Sequence, residues 1–175
     1  MRVYAPATTA DLVVLARVGA WAPVAGAYAV TPSLRGWVVA DGPADDEELE
    51  LAAMSEAARA SLRLIAPAAT TDARRVVVAL DLPADSVTVD DEGPDDPPGR
   101  VRLTAGTVPV ARVASVHVDE PDAVQAVAAA AAAVRAADAE DVDAEAVVAT
   151  LDDHDLLWYD PAELPALLGS PGSTA

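Results

Sequence analysis

The sequence lacks four residue types among its 175 positions: cysteine, lysine, asparagine and phenylalanine. Without cysteine, disulfide bonds and thiolate metal sites are excluded. Without lysine, the phosphate-binding motif GxxxxGK[ST] cannot occur, and all 11 of the lysine-plus-arginine positions are arginine. These absences, beside abundant alanine, arginine, glycine and proline, are typical of a GC-rich genome, so we assign them no function.

Several catalytic motifs are missing as well. The chain has no GxGxxG fingerprint for dinucleotides, no GxSxG nucleophile elbow and no HExxH metal motif. We therefore predict no cofactor and no metal. The missing motifs favour a non-enzymatic protein that binds a protein partner or a small molecule, and they leave a small enzyme as the alternative.

Hydrophobic residues make up 53% of the chain, but they form no long uninterrupted run. A membrane-spanning helix needs about 20 consecutive, mostly apolar residues. The first residues, MRVYAPATTADLVVLARVG, carry Asp11 within a broken apolar pattern, which is unlike a signal peptide. We therefore expect a cytoplasmic protein that does not enter a membrane.

The formal net charge of the chain is −18. A surface with this charge repels nucleic acids and anionic membranes, because attraction to phosphate is the main term in nucleic-acid affinity. Direct nucleic-acid binding is therefore not expected. Two interpretations of the acidity remain: it keeps the protein soluble, or it makes the protein an acidic mimic of nucleic acid that binds a basic partner.

The stretch of residues 74–83, RRVVVALDLP, predicts the central strand of a sheet. Val76 to Leu80 contain no polar residue, so a strand there needs cover on both faces. Asp81 and Pro83 end it. Other strands are predicted at residues 2–5, 26–31, 86–90, 100–105, 113–118 and 156–159. The segment 86–90 is predicted to pair with the central strand as a hairpin.

Helices are predicted at residues 9–18, 45–66, 121–139 and 141–151, with short ones after Thr31-Pro32 and before Leu168. Thr8 caps the first helix, with Asp11 three residues on, and Gly19 ends it. The buried stripe of the long helix is predicted as Leu51, Met54, Ala58, Leu62 and Ile65. Loops are expected at 41–46, 68–73 and 90–99.

The order of these elements predicts the fold class. Strands alternate with helices along residues 1–168, which favours a single mixed α/β domain, or its α+β variant, with a sheet of five or six strands covered by helices. Residues 169–175, GSPGSTA, are predicted to be a flexible tail.

Both histidines lie near acids. Asp119 follows His117 by two positions, and Asp153 precedes His154 directly. A histidine beside a carboxylate can act as a general base, and these four residues are the candidates for catalysis. A chain with 29 acidic residues also places acids beside histidines by composition alone.

Five polar residues follow predicted strands: Thr8, Thr31, Asp81, Asp119 and Asp160. If the strands run in the same direction, these residues gather at one edge of the sheet, where open α/β sheets bind ligands. Helix capping is the alternative explanation for most of them. Asp81 has no helix after it to cap, which makes it a candidate for lining a pocket.

Three arginines form the other candidate group for ligand binding: Arg35, Arg59 and Arg63. Together they could hold a carboxylate or phosphate, or they could form ordinary surface ion pairs with Glu56 and the acidic loops. Trp158 could form the floor of a ligand pocket, or it could belong to the core.

Four segments carry a resemblance to a known family: MRVYAPAT, AYAVTPSLRGW, EAARASLRL and DDHDLLWYDPAEL. With them, residues 1–168 resemble a family of small proteins from actinobacteria that is classed as a domain of unknown function. The resemblance implies a bacterial, cytoplasmic, single-domain protein. It implies no activity, substrate or site residue.

The first hypothesis is thus an acidic binding or interaction domain with an unidentified protein or small-molecule partner. The second is a small hydrolase- or transferase-like enzyme that uses His117 or His154 with a nearby carboxylate and an arginine such as Arg35. It requires that at least one of the histidines line a cleft. The third is the acidic nucleic-acid mimic.

Overall fold

The computed structural model describes residues 1–38, 44–66, 72–90 and 97–169. The loops predicted at 41–46, 68–73 and 90–99, and the predicted tail from 169 onward, lie partly outside the described residues. Everything below refers to the described part of the chain.

Nine strands are present in this part of the chain, and seven of them form one sheet. The strands are β1 (Arg2–Ala7), β2 (Ala20–Trp21), β3 (Ala27–Tyr28), β4 (Val76–Asp81), β5 (Val87–Val89), β6 (Arg100–Leu103), β7 (Val108–Pro109), β8 (Val113–Asp119) and β9 (Leu156–Tyr159). The sheet order is β5-β6-β3-β1-β4-β8-β9, and β2 pairs with β7 as a separate ribbon. Each of these pairs is antiparallel. The structure confirms the predicted class in its α+β form, with more strands than the five or six expected.

The central position of residues 74–83 is confirmed. β4 lies between β1 and β8, and its residues Val76 to Leu80 are fully buried. The predicted hairpin partner is wrong, because Val87–Val89 pairs with β6 and not with β4. Both edges of β4 are already taken by β1 and β8, and the 3₁₀ turn Ala84–Ser86 leads the chain away. β1 also continues through Pro6 to Ala7, two residues beyond its predicted end.

Six α-helices accompany the strands in the described residues: α1 (Thr9–Val18), α2 (Pro32–Val38), α3 (Asp46–Ile65), α4 (Val124–Ala137), α5 (Val142–Ala149) and α6 (Leu164–Leu167). The predicted caps of α1 are confirmed. Thr8 accepts a hydrogen bond from the backbone N–H of Asp11, and the Asp11 side chain accepts one from the Thr8 backbone. Gly19 ends α1 in the left-handed conformation, with φ of 74°.

α3 covers one face of the sheet, and α1 with the β2–β7 ribbon covers the other. The residues of α3 that contact the sheet are small: Ala53, Ala57 and Ala60 are all buried. Leu51 was predicted in the buried stripe and instead is 57% exposed. The alanine face allows a closer approach to the sheet than a leucine stripe would, and α3 turns that face inward.

Ser61 ties α3 to the sheet in a way that the sequence did not reveal. Its hydroxyl donates to the Ala7 carbonyl at 2.7 Å and accepts from the Val76 backbone N–H at 3.0 Å. Ala7 and Val76 form the last pair of the β1–β4 ladder. The fully buried side chain therefore satisfies two backbone groups where that ladder ends.

Candidate functional site

A cleft of about 470 Å³ lies between α3 and the turn that leads from α5 into β9, and both a histidine and arginines line it. One wall is the outer side of α3, including Leu51, Glu56 and Arg59. The other wall is residues 151–156, which include His154. Arg75, at the start of β4, lies between the two walls. We refer to this space as the α3 cleft.

Arg75 and Asp119 form an ion pair beside the α3 cleft. The Asp119 side chain is fully buried, and its Oδ1 lies 2.7 Å from Arg75 Nη2. Arg75 Nε lies 3.0 Å from both carboxylate oxygens, and the Arg75 backbone N–H donates to Oδ2 at 2.6 Å. Such a charge-assisted, multiply bonded pair fixes both side chains.

The same guanidinium also holds the wall of the cleft. Arg75 Nη2 donates to the backbone carbonyls of His154 at 3.1 Å and of Leu151 at 3.4 Å. Two carbonyls of one short turn thus share a buried cation, whose side chain is only 11% exposed. The position of His154 therefore depends on the pair formed by Arg75 and Asp119.

The His154 ring forms a second pair with a carboxylate. Its Nδ1 lies 2.8 Å from Oε1 of Glu120, which directly follows β8. Nδ1 accounts for the only hydrogen bond of this ring to the described residues, so the contact fixes the ring's orientation and leaves Nε2 unbonded. A carboxylate that orients an imidazole in a cleft is the arrangement that a general base needs.

Glu56 is the half-buried carboxylate of the cleft wall, and it has no partner among the described residues. It is half-buried, and among the described residues it takes part in no hydrogen bond or ion pair. Burial raises the pKa of Glu56, and the nearby charges of Arg59 and Arg63 only partly offset that rise. A carboxylate in this position would gain from a cation brought by a ligand.

The apolar part of the lining includes several long side chains. Leu51 and Met54 come from α3, and Leu156 comes from the first position of β9. Asp152 and Asp155 lie on the exposed rim and make no ion pair with a described residue. The α3 cleft thus combines apolar walls with one unpaired inner carboxylate and acids at its entrance.

The structure separates the two histidines that the sequence proposed. His154 lines the α3 cleft, whereas His117 does not. The Nε2 atom of His117 lies 3.0 Å from the Ser115 hydroxyl on the same strand, and the ring forms no hydrogen bond or ion pair with Asp119. Burial lowers the pKa of His117, and the charge of Arg2 lowers it further. Asp153 is exposed and bonds to no described side chain.

The three proposed arginines do not form one group. Arg59 and Arg63 share Asp138, at 3.2 Å and 2.7 Å, beside a second cavity of about 620 Å³. Arg35 lies apart and approaches Asp46 at 3.4 Å on the surface. All three arginines thus form ion pairs, with Asp46 or Asp138 and not with Glu56.

Because neighbouring strands run in opposite directions, the polar residues that follow them lie at two opposite edges of the sheet, where the strands begin and end. The directions of β1 and β8 place Thr8 and Asp119 at one edge, and β4 places Asp81 at the opposite edge. The expectation that all five gather at one edge is wrong for this reason. Asp81 pairs with Arg2 at 2.8 Å, and the bond from Arg2 lowers the pKa of Asp81.

Trp158 is not a core residue, and it does not line the α3 cleft. It lies on β9 opposite His117 and is 59% exposed. Among the site residues, the sequence analysis did not propose Arg75 and Glu56, which line the α3 cleft, or Glu120, which bonds to His154. Only Arg75 could have been found from the sequence. It directly precedes the buried central strand, and a charge in such a position needs a partner.

One comparison places the chain among known sequences. A family model described as a family of unknown function, DUF6912, matches residues 1–168. The chain belongs to this family. No curated protein and no solved structure matches it. The match confirms the resemblance to a family of unknown function over nearly the whole length, and the function of this DUF6912 member must be argued from its own site.

Two further observations bear on this DUF6912 protein. None of its described helices has both the length and the apolar character that crossing a bilayer requires. Within the described ranges, no three acidic or histidine side chains converge in a way that would hold a metal ion.

Proposed function

We propose that this protein is a non-enzymatic interaction domain of the cytoplasm, and that its α3 cleft binds a basic side chain of a protein partner. Glu56 is the observation that carries the proposal. The Glu56 oxygens reach solvent, but burial disfavours the charged form of this carboxylate, and an arginine or lysine of a partner that pairs with it would offset that cost.

The walls of the cleft support a basic side chain over a small inorganic cation. Arginine and lysine carry long apolar stems, and such stems pack on apolar surfaces while the charged head finds a partner. Leu51, Met54 and Leu156 offer that apolar surface around Glu56. The volume of about 470 Å³ is ample for one such side chain.

The charge of the chain supports the same partner. A net charge of −18 attracts basic proteins and speeds their association at low ionic strength. Asp152 and Asp155 extend this attraction to the entrance of the α3 cleft. A cleft with acids at its rim and inside therefore selects positively charged segments.

A second candidate function is a hydrolase- or transferase-like activity, favoured by the bond between His154 and Glu120 inside the cleft. In that case His154 would accept a proton through Nε2. This candidate predicts turnover that is lost in His154→Gln. An activity screen with ester and phosphoester substrates decides it.

The interaction proposal is tested with a displayed library of random peptides, followed by calorimetry on the selected sequences. We expect the selected peptides to share an arginine or lysine between apolar residues. Glu56→Gln, which keeps the size of the side chain, should weaken binding about tenfold or more, which corresponds to about 1.4 kcal/mol.

Glu47→Gln is the matched control, because Glu47 is exposed in the first turn of the same helix and does not line the cleft. It should bind the same peptides nearly as well as the parent. Selected peptides without a basic residue, or equal binding by Glu56→Gln and the parent, would rule the proposal out.

A further inference from the structure

We propose that the partner binds as an additional β-strand along the free edge of β9, and that its strand is apolar with basic residues on both flanks. This inference rests on the proposed function for the nature of the partner. It adds the place and the mode of binding, and both can be tested separately from the α3 cleft.

β9 is the last strand of the sheet and pairs only with β8 in the described residues. The Glu120 backbone N–H donates to the Asp155 carbonyl at 3.4 Å, just before the strand. Because the groups of an antiparallel strand point alternately to either side, Leu156 and Trp158 direct their N–H and C=O groups away from β8. Apart from the pairing with β8, these two residues make no backbone hydrogen bond to the described chain.

The side chains of β9 leave this edge unprotected. Natural proteins protect an edge strand with charged residues or proline, and the sequence Leu-Leu-Trp-Tyr of β9 has neither. Leu157 is 38% exposed and Trp158 is 59% exposed, and they lie on opposite faces of the sheet. An added strand would cover both side chains and bond to the outward-facing groups of the backbone.

The charges around β9 indicate which strand fits. Asp152, Asp153 and Asp155 precede the strand and Asp160 follows it, and none of the four forms an ion pair with a described residue. If two copies of this chain paired antiparallel at this edge, the acidic flank before β9 in each copy would lie near Asp160 of the other, and like charges repel. A partner strand with arginine or lysine at both ends is favoured instead.

The edge and the α3 cleft are adjacent. Leu156 is the first residue of β9 and also lines the cleft. Leu156 and Trp158 point to the same face of the sheet, because side chains two positions apart share a face. A side chain on that face of an added strand would therefore lie beside the cleft wall, within the reach of a long basic residue aimed at Glu56.

The test uses a library of short peptides that alternate valine and threonine, flanked either by arginine or by glutamate, together with amide hydrogen exchange on the full chain. We expect binders only from the arginine-flanked set, and we expect them to slow exchange at Leu156 and Trp158 by about tenfold or more. N-methylation of the peptide amides that face β9 should abolish binding. N-methylation of the amides on the opposite edge of the peptide should not. Trp158→Lys should weaken binding, whereas Trp37→Lys, at an equally exposed tryptophan on α2, should not.

The outcomes separate the two proposals. Slowed exchange at Leu156 and Trp158 together with unchanged affinity in Glu56→Gln would keep the edge and overturn the role of the cleft. Binding that depends on Glu56 without slowed exchange at the edge would keep the cleft and overturn this inference. A failure to select any peptide, or a mass that doubles with concentration while the exchange at the edge slows, would overturn the inference as well.

Discussion

Arg75 pairs with the fully buried Asp119 and, through the same guanidinium, donates to the carbonyl of His154. One side chain thereby connects the entry of the central strand, the end of β8 and the wall of the α3 cleft. Because the pair is buried, removing one partner leaves the other as an uncompensated charge.

Asp119→Ala is therefore expected to destabilise the protein by about 3–5 kcal/mol, the usual cost of breaking a buried pair. Urea unfolding followed by tryptophan fluorescence measures the change. The double variant Arg75→Met with Asp119→Leu should lose clearly less than the sum of the two single variants. A loss below about 1 kcal/mol for Asp119→Ala would contradict the coupling that the geometry indicates.

Ser61→Ala is expected to cost about 2–4 kcal/mol. It removes the hydroxyl that satisfies the Ala7 carbonyl and the Val76 N–H, and each unsatisfied buried group costs about 1–3 kcal/mol. Ser55→Ala on the same helix is the control, because Ser55 is exposed and should change stability by less than about 0.5 kcal/mol. Equal stabilities of the two variants would show that the hydrogen bonds of Ser61 to the sheet do not contribute to stability.

Glu56→Gln is expected to stabilise the free protein at neutral pH, by up to about 1 kcal/mol. Burial raises the pKa of Glu56, so the folded state disfavours its charged form. The destabilisation is absent below the usual pKa of 4.5 and develops as the pH rises through the higher value of the folded state. Thermal unfolding of both proteins across this range should show their difference growing with pH.

Glu47→Gln provides the contrast for this experiment. Its carboxylate lies in the first turn of α3, where negative charge stabilises a helix by about 0.3–1 kcal/mol. Its neutralisation should therefore lower stability slightly at neutral pH. The same sign for both variants would show that the burial of Glu56 has no effect on stability.

Asp138→Asn is expected to destabilise the protein by about 1 kcal/mol at neutral pH, since its ion pairs are partly exposed. The bond from Arg63 lowers the pKa of Asp138, with a further contribution from Arg59. The stabilisation is complete above the ordinary value of 3.8 and is lost as the pH falls through the lower value of the folded state. Urea midpoints of the two proteins should therefore converge in acid, and a constant difference down to low pH would contradict the assignment.

The features that depend on neighbouring residues in the chain were predicted from the sequence. Thr8, Asp11 and Gly19 set the limits of α1, because caps act within one helical turn. The unbroken apolar run of Val76 to Leu80 placed β4 inside the sheet, because such a strand cannot face water. Both results follow from neighbours along the chain.

Pairings between distant segments could not be predicted in the same way. Val87–Val89 alternates as a hairpin strand should, but its partner depends on which edges of β4 remain free. The partners of Arg75 and Ser61 likewise come from elements far along the chain, and nothing in the adjacent sequence indicates them. Glu56 was expected only as an ion-pair partner of the arginines, whereas the structure places it in the cleft with no partner among the described residues.

The place of β1 in the sheet has a consequence for folding kinetics. β1 lies in the interior of the sheet, and its Arg2 bonds to Asp81, which is 79 residues away in the sequence. Closing so long a loop costs entropy before the strand pairing returns any stabilisation, so folds dominated by such contacts reach the native state in milliseconds to seconds rather than microseconds. During synthesis β1 leaves the ribosome well before β4 does. Until β4 is available, β1 lacks this pairing partner and its apolar side chains are less covered.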